Sequence, residues 1–216
     1  WARIEPEEGK FDEAEVQHYA DVIACCKKHG VEPIVTLYHF TSPKWLIEKG
    51  GWENPDVVSY FERYARYIAE KLGSELHYVC TINEANMGIQ VAAIAARYKK
   101  QFMQKLNPFY RLFHPHKKEE SAEGKAQIGM NFNQMMKNMK KKGEENEKLF
   151  GTPSPKTFVS QRSKEGDLLV CKAHEAARRV FRELCPHEKI GLTSSLHDIQ
   201  EVGNGAEIEA KKVWDG

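Results

Sequence analysis

Val16, Tyr19, Ala20 and Ile23 recur at the spacing of one helical face. Asp12 precedes them as an N-cap, Glu15 completes a capping box, and Gly30 closes the helix. The pattern then shifts to a mostly apolar run, Pro33 to His39, whose last residues are polar or aromatic and which predicts a buried strand over about 33–39. Thr41 to Leu46 predicts a loop or short helix. Asn54 as cap and Pro55 at the first helical position open a second long helix, with Val57, Phe61, Tyr64, Ala65, Ile68 and Leu72 on one face and Gly73 at its end. A second apolar run predicts a strand over about 77–83, ending in Asn83 and Glu84. Periodicity weakens from roughly 99 to 166, where Lys, Glu, Asn, Met and Pro dominate. Order resumes with Asp167 as a cap and the stripe Leu169, Ala173, Ala176, Ala177, Val180, Phe181 and Leu184, which stops at Pro186. Lys189 to His197 predicts a further strand and 205–214 a further helix. The opening Trp1 to Ile4 reads as the end of a strand already under way.

Strand and helix alternate throughout, at irregular periods that exclude a solenoid. Such alternation fits a closed (β/α) barrel or an open doubly wound sheet. No G-x-G-x-x-G or P-loop follows a strand, and polar residues gather at the carboxyl ends of strands, where barrels carry their active sites. The expectation is one α/β barrel domain over 1–216, with 99–166 as a long polar excursion on the catalytic face.

Composition narrows the function classes. A net charge of +1, with 29% charged residues, gives no electrostatic case for nucleic acid or an anionic membrane as a partner. Lys137, Lys140, Lys141 and Lys142 read as a solvated helix face. No apolar run approaches the ~20 residues of a membrane helix, and no signal peptide opens the sequence. Five cysteines, two adjacent and none in a C-x-x-C pair, point to free thiols and a cytoplasmic location. Cys25 and Cys26 read as packing thiols. His114 and His116 lack the partners of a metal site, so no metal is expected.

Glu84 is the candidate for chemistry. On strand logic alone it reads as a cap for the following helix or as a catalytic acid. Glycoside hydrolysis needs a carboxylic acid for the leaving oxygen and a second carboxylate across the anomeric carbon. Asn83 can bond a sugar hydroxyl with donor and acceptor atoms. His39 can do the same from the neighbouring strand, or serve as a structural histidine. Phe40 and Trp45 offer faces for sugar C–H groups, and Trp52 reads as a packing residue.

Four motifs bear on that choice. Trp1-Ala2-Arg3-Ile4-Glu5-Pro6 resembles the W-S-R-I-x-P segment of glycoside hydrolase family 1, and Leu37-Tyr38-His39-Phe40-Thr41-Ser42-Pro43 its L-Y-H-W-D-L-P. Gly50-Gly51-Trp52-Glu53-Asn54 matches G-G-W-x-N, and Thr81-Ile82-Asn83-Glu84-Ala85 is similar to T-x-N-E-P. The resemblance covers residues 1 to about 90. It is softer from 167 onward, in His174-Glu175-Ala176 and Lys189-Ile190-Gly191-Leu192.

The resemblance implies a (β/α)8 TIM barrel, here incomplete, from the end of strand 2 through the helix after strand 5. It implies a retaining β-glycosidase acting on a β-glucoside or 6-phospho-β-glucoside, without a cofactor. Glu84 carries over as general acid/base, His39 and Asn83 as sugar ligands, and Arg3 as the residue that keeps the nucleophile ionised. Ala85 stands where the family usually has Pro, and Phe40 where it usually has Trp. The family's T-E-N-G nucleophile motif does not occur in these residues, so the nucleophile is expected outside this chain and the chain alone is expected to be inactive. Unpaired barrel edges would favour association with a complementary chain or with itself. The competing readings are a non-catalytic carbohydrate-binding or structural fragment of the same fold, and an inverting hydrolase using a base such as Asp198.

Overall fold

A computed structural model of the protein describes residues 1–91 and 132–195, with 132–136 and 139 described in their backbone alone. Helix α1 spans Glu13–Lys28. Its cap is the expected Asp12, whose carboxylate accepts from the N–H groups of Ala14 and Glu15. Strand β1 spans Ile34–Tyr38, the short helix α2 Lys44–Glu48 and helix α3 Val57–Leu72. Strand β2 spans Tyr78–Ile82. A helix occupies 87–91. Helix α4 covers Phe132–Phe150 and α5 Lys164–Leu184, and strand β3 covers Lys189–Gly191.

The strands form one parallel sheet in the order β1-β2-β3. Tyr38 is in register with Ile82 and Cys80 with Gly191, so the carboxyl ends of the strands lie together. Central β2 is buried from Val79 to Ile82, as a strand covered on both faces must be. In β1 burial rises toward the carboxyl end: Ile34 is 71% exposed, whereas Leu37 and Tyr38 are buried.

Helices α3 and α5 pack side by side against this sheet. The apolar face of α3 is the one the sequence predicts, with Val57, Phe61, Tyr64, Ala65, Ile68 and Leu72 all buried. On α5, Ala173, Ala176 and Ala177 are fully buried, and their small side chains let the two helices approach. Leu184, expected in that stripe, is 38% exposed at the end of its helix. The four lysines at 137 and 140–142 are exposed on α4, as expected of a solvated face.

Several local expectations are corrected. Residues 2–4 form a turn rather than a strand end, closed by the Glu5 N–H to the Trp1 carbonyl at 2.9 Å. Asn54 lies one turn outside α3: it accepts from the Asp56 N–H in an Asx turn, and the helix begins at Val57. Helix α5 starts before Asp167, because Ser163 caps it by accepting from the Gly166 N–H. Strand β3 ends at Gly191 rather than His197, because Thr193 turns its polar groups to the β2 end. Cys25 is exposed on α1 rather than packed, and all five cysteines are free. The helix expected over 205–214, together with His114, His116, His197 and Asp198, lies outside the described residues.

An aromatic cluster underlies the β1 end. Trp1, Tyr38, Trp52, Phe61, Tyr64 and Phe158 are all buried and in mutual ring contact. Trp52 is a packing residue, as expected; its indole N–H donates to the Tyr38 hydroxyl at 3.1 Å. Burial pushes the Tyr38 phenol well above its ordinary range, which makes it a structural hydroxyl. Glu5 is fully buried and fully used: it accepts from the Trp1 indole, the Gly9 N–H and the Arg63 guanidinium.

Candidate active site at the strand ends

Both β1 and β2 end in a sharp reversal. Phe40 and Glu84 each lie two residues past register partners, and among the described residues they are the non-glycine residues with positive φ, at 68° and 46°. The left-handed conformation costs a side-chain-bearing residue about 1–2 kcal/mol. Such strain persists only where the surroundings hold it, and it is common at functional sites. The two ends are joined directly by the Asn83 N–H, which donates to the Tyr38 carbonyl at 2.9 Å. His39 and Asn83 thus follow adjacent, aligned strand positions.

Glu84 is half-buried. Its carboxylate has no hydrogen-bond or ion-pair partner among the described residues. The helix-cap reading therefore has no support here. The turn closes through the backbone instead, with the Met87 N–H on the Glu84 carbonyl at 2.9 Å. Asn86 faces Ser195, accepting from its N–H at 2.9 Å and donating to its carbonyl at 2.8 Å.

Two residues hold this turn that the sequence pattern does not single out. Thr193, just beyond β3, bonds four consecutive residues, its N–H donating to the Ile82 carbonyl at 3.1 Å. Its hydroxyl accepts from the Glu84 N–H at 2.8 Å and donates to Asn83 Oδ1 at 3.0 Å, and its carbonyl accepts from the Ala85 N–H at 2.9 Å. Arg162 grips the other side, with a side chain only 2% exposed. It donates to the carbonyls of Ala85 (2.7 Å) and Phe158 (2.5 Å) and pairs with Asp167 at 2.8 Å. Gly88 makes room for it: a Cβ there would lie 2.7 Å from the guanidinium carbon.

Below the turn, Thr81 is fully buried in β2. Its hydroxyl donates to the Gly191 carbonyl at 3.2 Å, which leaves His174 Nδ1–H to donate to Thr81 Oγ1 across 2.7 Å. Burial holds the His174 pKa below the usual histidine range, so the imidazole favours the neutral form.

The other predicted residues are placed as follows. His39 is exposed, its ring against Phe40 at 4.8 Å. Phe40 is half-buried and stacks on Phe158 at 5.8 Å between centroids. Trp45 is not a free face at the strand ends: its indole donates to the Glu5 carbonyl, and its ring packs on Trp1 and Tyr60. Arg3 is on the α1 side, paired with Glu15 at 2.7 Å, and that pairing raises its pKa. The structure brings His39, Asn83 and Glu84 to one edge, while Arg3 engages α1. No group of three or more His, Cys, Asp or Glu side chains among the described residues could hold a metal. No helix among them is long and apolar enough to cross a membrane.

Comparison with known proteins bears on this edge directly. The sequence model of glycosyl hydrolase family 1 matches residues 1–149, which include the whole Asn83–Glu84 turn. The coniferin β-glucosidase of Pinus contorta is 37% identical over 89 residues, 40% of this chain and 17% of that protein. The 6-phospho-β-glucosidase AscB of Escherichia coli is 38% identical over 90 residues, 40% of this chain and 19% of that protein. Among solved structures, β-glycosidase BGL167 superposes with a TM-score of 0.68 at 29% identity, covering 100% of this chain and 44% of that one. A β-glucosidase from Thermotoga maritima in complex with castanospermine superposes with a TM-score of 0.60 at 20% identity, covering 98% of this chain and 36% of that one; this likeness concerns the fold alone. The chain therefore spans less than half of these relatives, whose fold is a TIM barrel. Its α/β strand order, its aligned strand ends and the match over residues 1–149 place it in one group: the chain belongs to glycosyl hydrolase family 1.

Proposed function

We propose that this chain is the acid/base-bearing part of a retaining β-glycosidase, with the barrel running here from the end of strand 2 through the helix after strand 5. On this reading β1, β2 and β3 are barrel strands 3, 4 and 5. Glu84 protonates the leaving oxygen and then deprotonates water in the second step. Asn83 and His39 hold the sugar in the cleavage subsite. On this reading Arg3, paired with Glu15 in this structure, exchanges that partner for the nucleophile, where an adjacent cation favours the ionised form. The nucleophile carboxylate comes from outside these 216 residues. In a retaining site the two carboxyls stand ~5–5.5 Å apart. The substrate is a β-glucoside or 6-phospho-β-glucoside, the classes named for its relatives. No cofactor is needed, because two carboxylates suffice. The cysteine usage and the cytosolic β-glucosidase of Homo sapiens, 36% identical over 89 residues, favour the cytoplasm.

The observation that carries this reading is the Glu84 carboxylate itself. It stands without a partner among the described residues, on a strained turn at a strand end, within the family match. The test is hydrolysis of an aryl β-glucoside by this chain alone and by this chain mixed with a polypeptide carrying the remaining barrel strands. The chain alone is silent and the mixture is active. Glu84→Gln in the mixture lowers the rate by about 100-fold or more. Robust hydrolysis by the chain alone overturns the placement of the nucleophile. Sugar binding by the mixture without turnover favours a carbohydrate-binding role instead.

A further inference from the structure

We infer that Thr193 is a positioning residue that fixes which face of the Asn83 carboxamide meets the substrate, so that Asn83 acts as a donor and the sugar oxygen held there as an acceptor. This rests on the reading of Asn83 as a sugar ligand. A hydroxyl has one proton. The Thr193 oxygen accepts from the Glu84 N–H at 2.8 Å, and its one proton needs an acceptor, which Asn83 Oδ1 supplies at 3.0 Å. That contact selects one of the two carboxamide orientations. Oδ1 is consumed inside the turn, and the Nδ2 protons have no partner among the described residues.

The same residue tethers the acid. The Glu84 N–H meets the Thr193 hydroxyl and the Ala85 N–H meets the Thr193 carbonyl, which together hold the left-handed φ of 46° at Glu84. The second bond depends on Ala85. The proline expected at this position from the family motif has no N–H to give. This chain thus replaces a rigid ring with a hydrogen bond to the next strand, and Thr193 receives it. One side chain and its carbonyl couple the aim of the sugar ligand to the posture of the acid.

Two readouts separate the parts of the inference: hydrogen exchange at the Glu84 amide in this chain, and binding of deoxynojirimycin, by chemical-shift titration, to this chain mixed with a polypeptide carrying the remaining barrel strands. Thr193→Val keeps the shape and removes the hydroxyl. It is expected to speed Glu84 amide exchange about tenfold and weaken deoxynojirimycin about tenfold. Thr193→Ser restores both. Asn83→Asp still accepts the Thr193 proton but turns an acceptor outward in place of a donor. It keeps slow Glu84 exchange while losing binding by tenfold or more, and it serves equally if Thr193→Val fails to fold. Unchanged Glu84 exchange in Thr193→Val overturns the tether. Faster exchange with unchanged binding overturns the positioning role and leaves a structural one. If the unsubstituted mixture binds no deoxynojirimycin, the sugar-facing half falls together with the ligand reading of Asn83, and the exchange data alone decide whether Thr193 holds the turn.

Discussion

The ends of β1 and β2 make the same reversal by different means. At the β1 end the left-handed Phe40 is held by ring packing: its side chain lies on Phe158, with Trp52 and Tyr38 beneath. At the β2 end the left-handed Glu84 is held by directional bonds from Thr193 on one side and Arg162 on the other. Ring packing fixes a position without fixing a direction. Hydrogen bonds do both, and the end that carries the carboxylate and the amide is the one that uses them. The imidazole of His39, at the packed end, is exposed and steered only by its contact with Phe40.

Removing Arg162 tests this contrast most severely. Arg162→Met strands the Asp167 carboxylate and two carbonyls, and is expected to lower stability by about 3–5 kcal/mol in urea denaturation. Near-neutral behaviour would mean that the clamp on the Glu84 turn is dispensable. Ala85→Pro, which restores the family's usual residue, should also destabilise, by about 3 kcal/mol. It deletes the N–H bonded to Thr193 and disfavours the conformation of Glu84. Stabilisation by this proline would contradict the bonded account of the β2 end. At the packed end, Phe40→Ala is expected to cost about 2 kcal/mol. Phe40→Gly should cost about 1 kcal/mol less, because glycine removes the left-handed penalty. The reverse order would show that the strain at Phe40 is negligible. The smallest effect concerns pH. The folded-state pKa of His174 lies below its unfolded value, mainly through burial. Its contribution is therefore complete above the ordinary histidine pKa of about 6.5 and is lost as pH falls through the folded value. Urea midpoints of the wild type should drop more steeply below that point than those of His174→Gln, and parallel profiles would remove His174 from the bracing of β2.

What the sequence makes legible follows from how local each signal is. The Asp12 cap, the α3 stripe and both strands depend on neighbours a few residues away, and patterning finds them. The placement of Asn83, Glu84 and His39 at the strand ends is legible because strand-end polarity and the family motifs mark it. The start of α5 is not legible locally, because Asp167 resembles a cap while its actual partner Arg162 lies outside the helix. Aromatic character alone points Trp45 to the strand ends, but its indole is drawn to the Glu5 carbonyl forty residues earlier. The bracing of the turn was invisible for the same reason: Thr193 meets Glu84 across 109 residues, and no local pattern encodes that contact.

Gly88 gives the turn a history as well as a shape. Any side chain there would collide with the buried guanidinium of Arg162, and any shorter residue at 162 would leave a hole that Gly88 cannot fill. Each residue makes the other hard to replace singly, so the two should be inherited as a pair. In descendants of this chain, a loss of Arg162 should be accompanied by a larger residue at 88, and a lineage that changes only one should be rare.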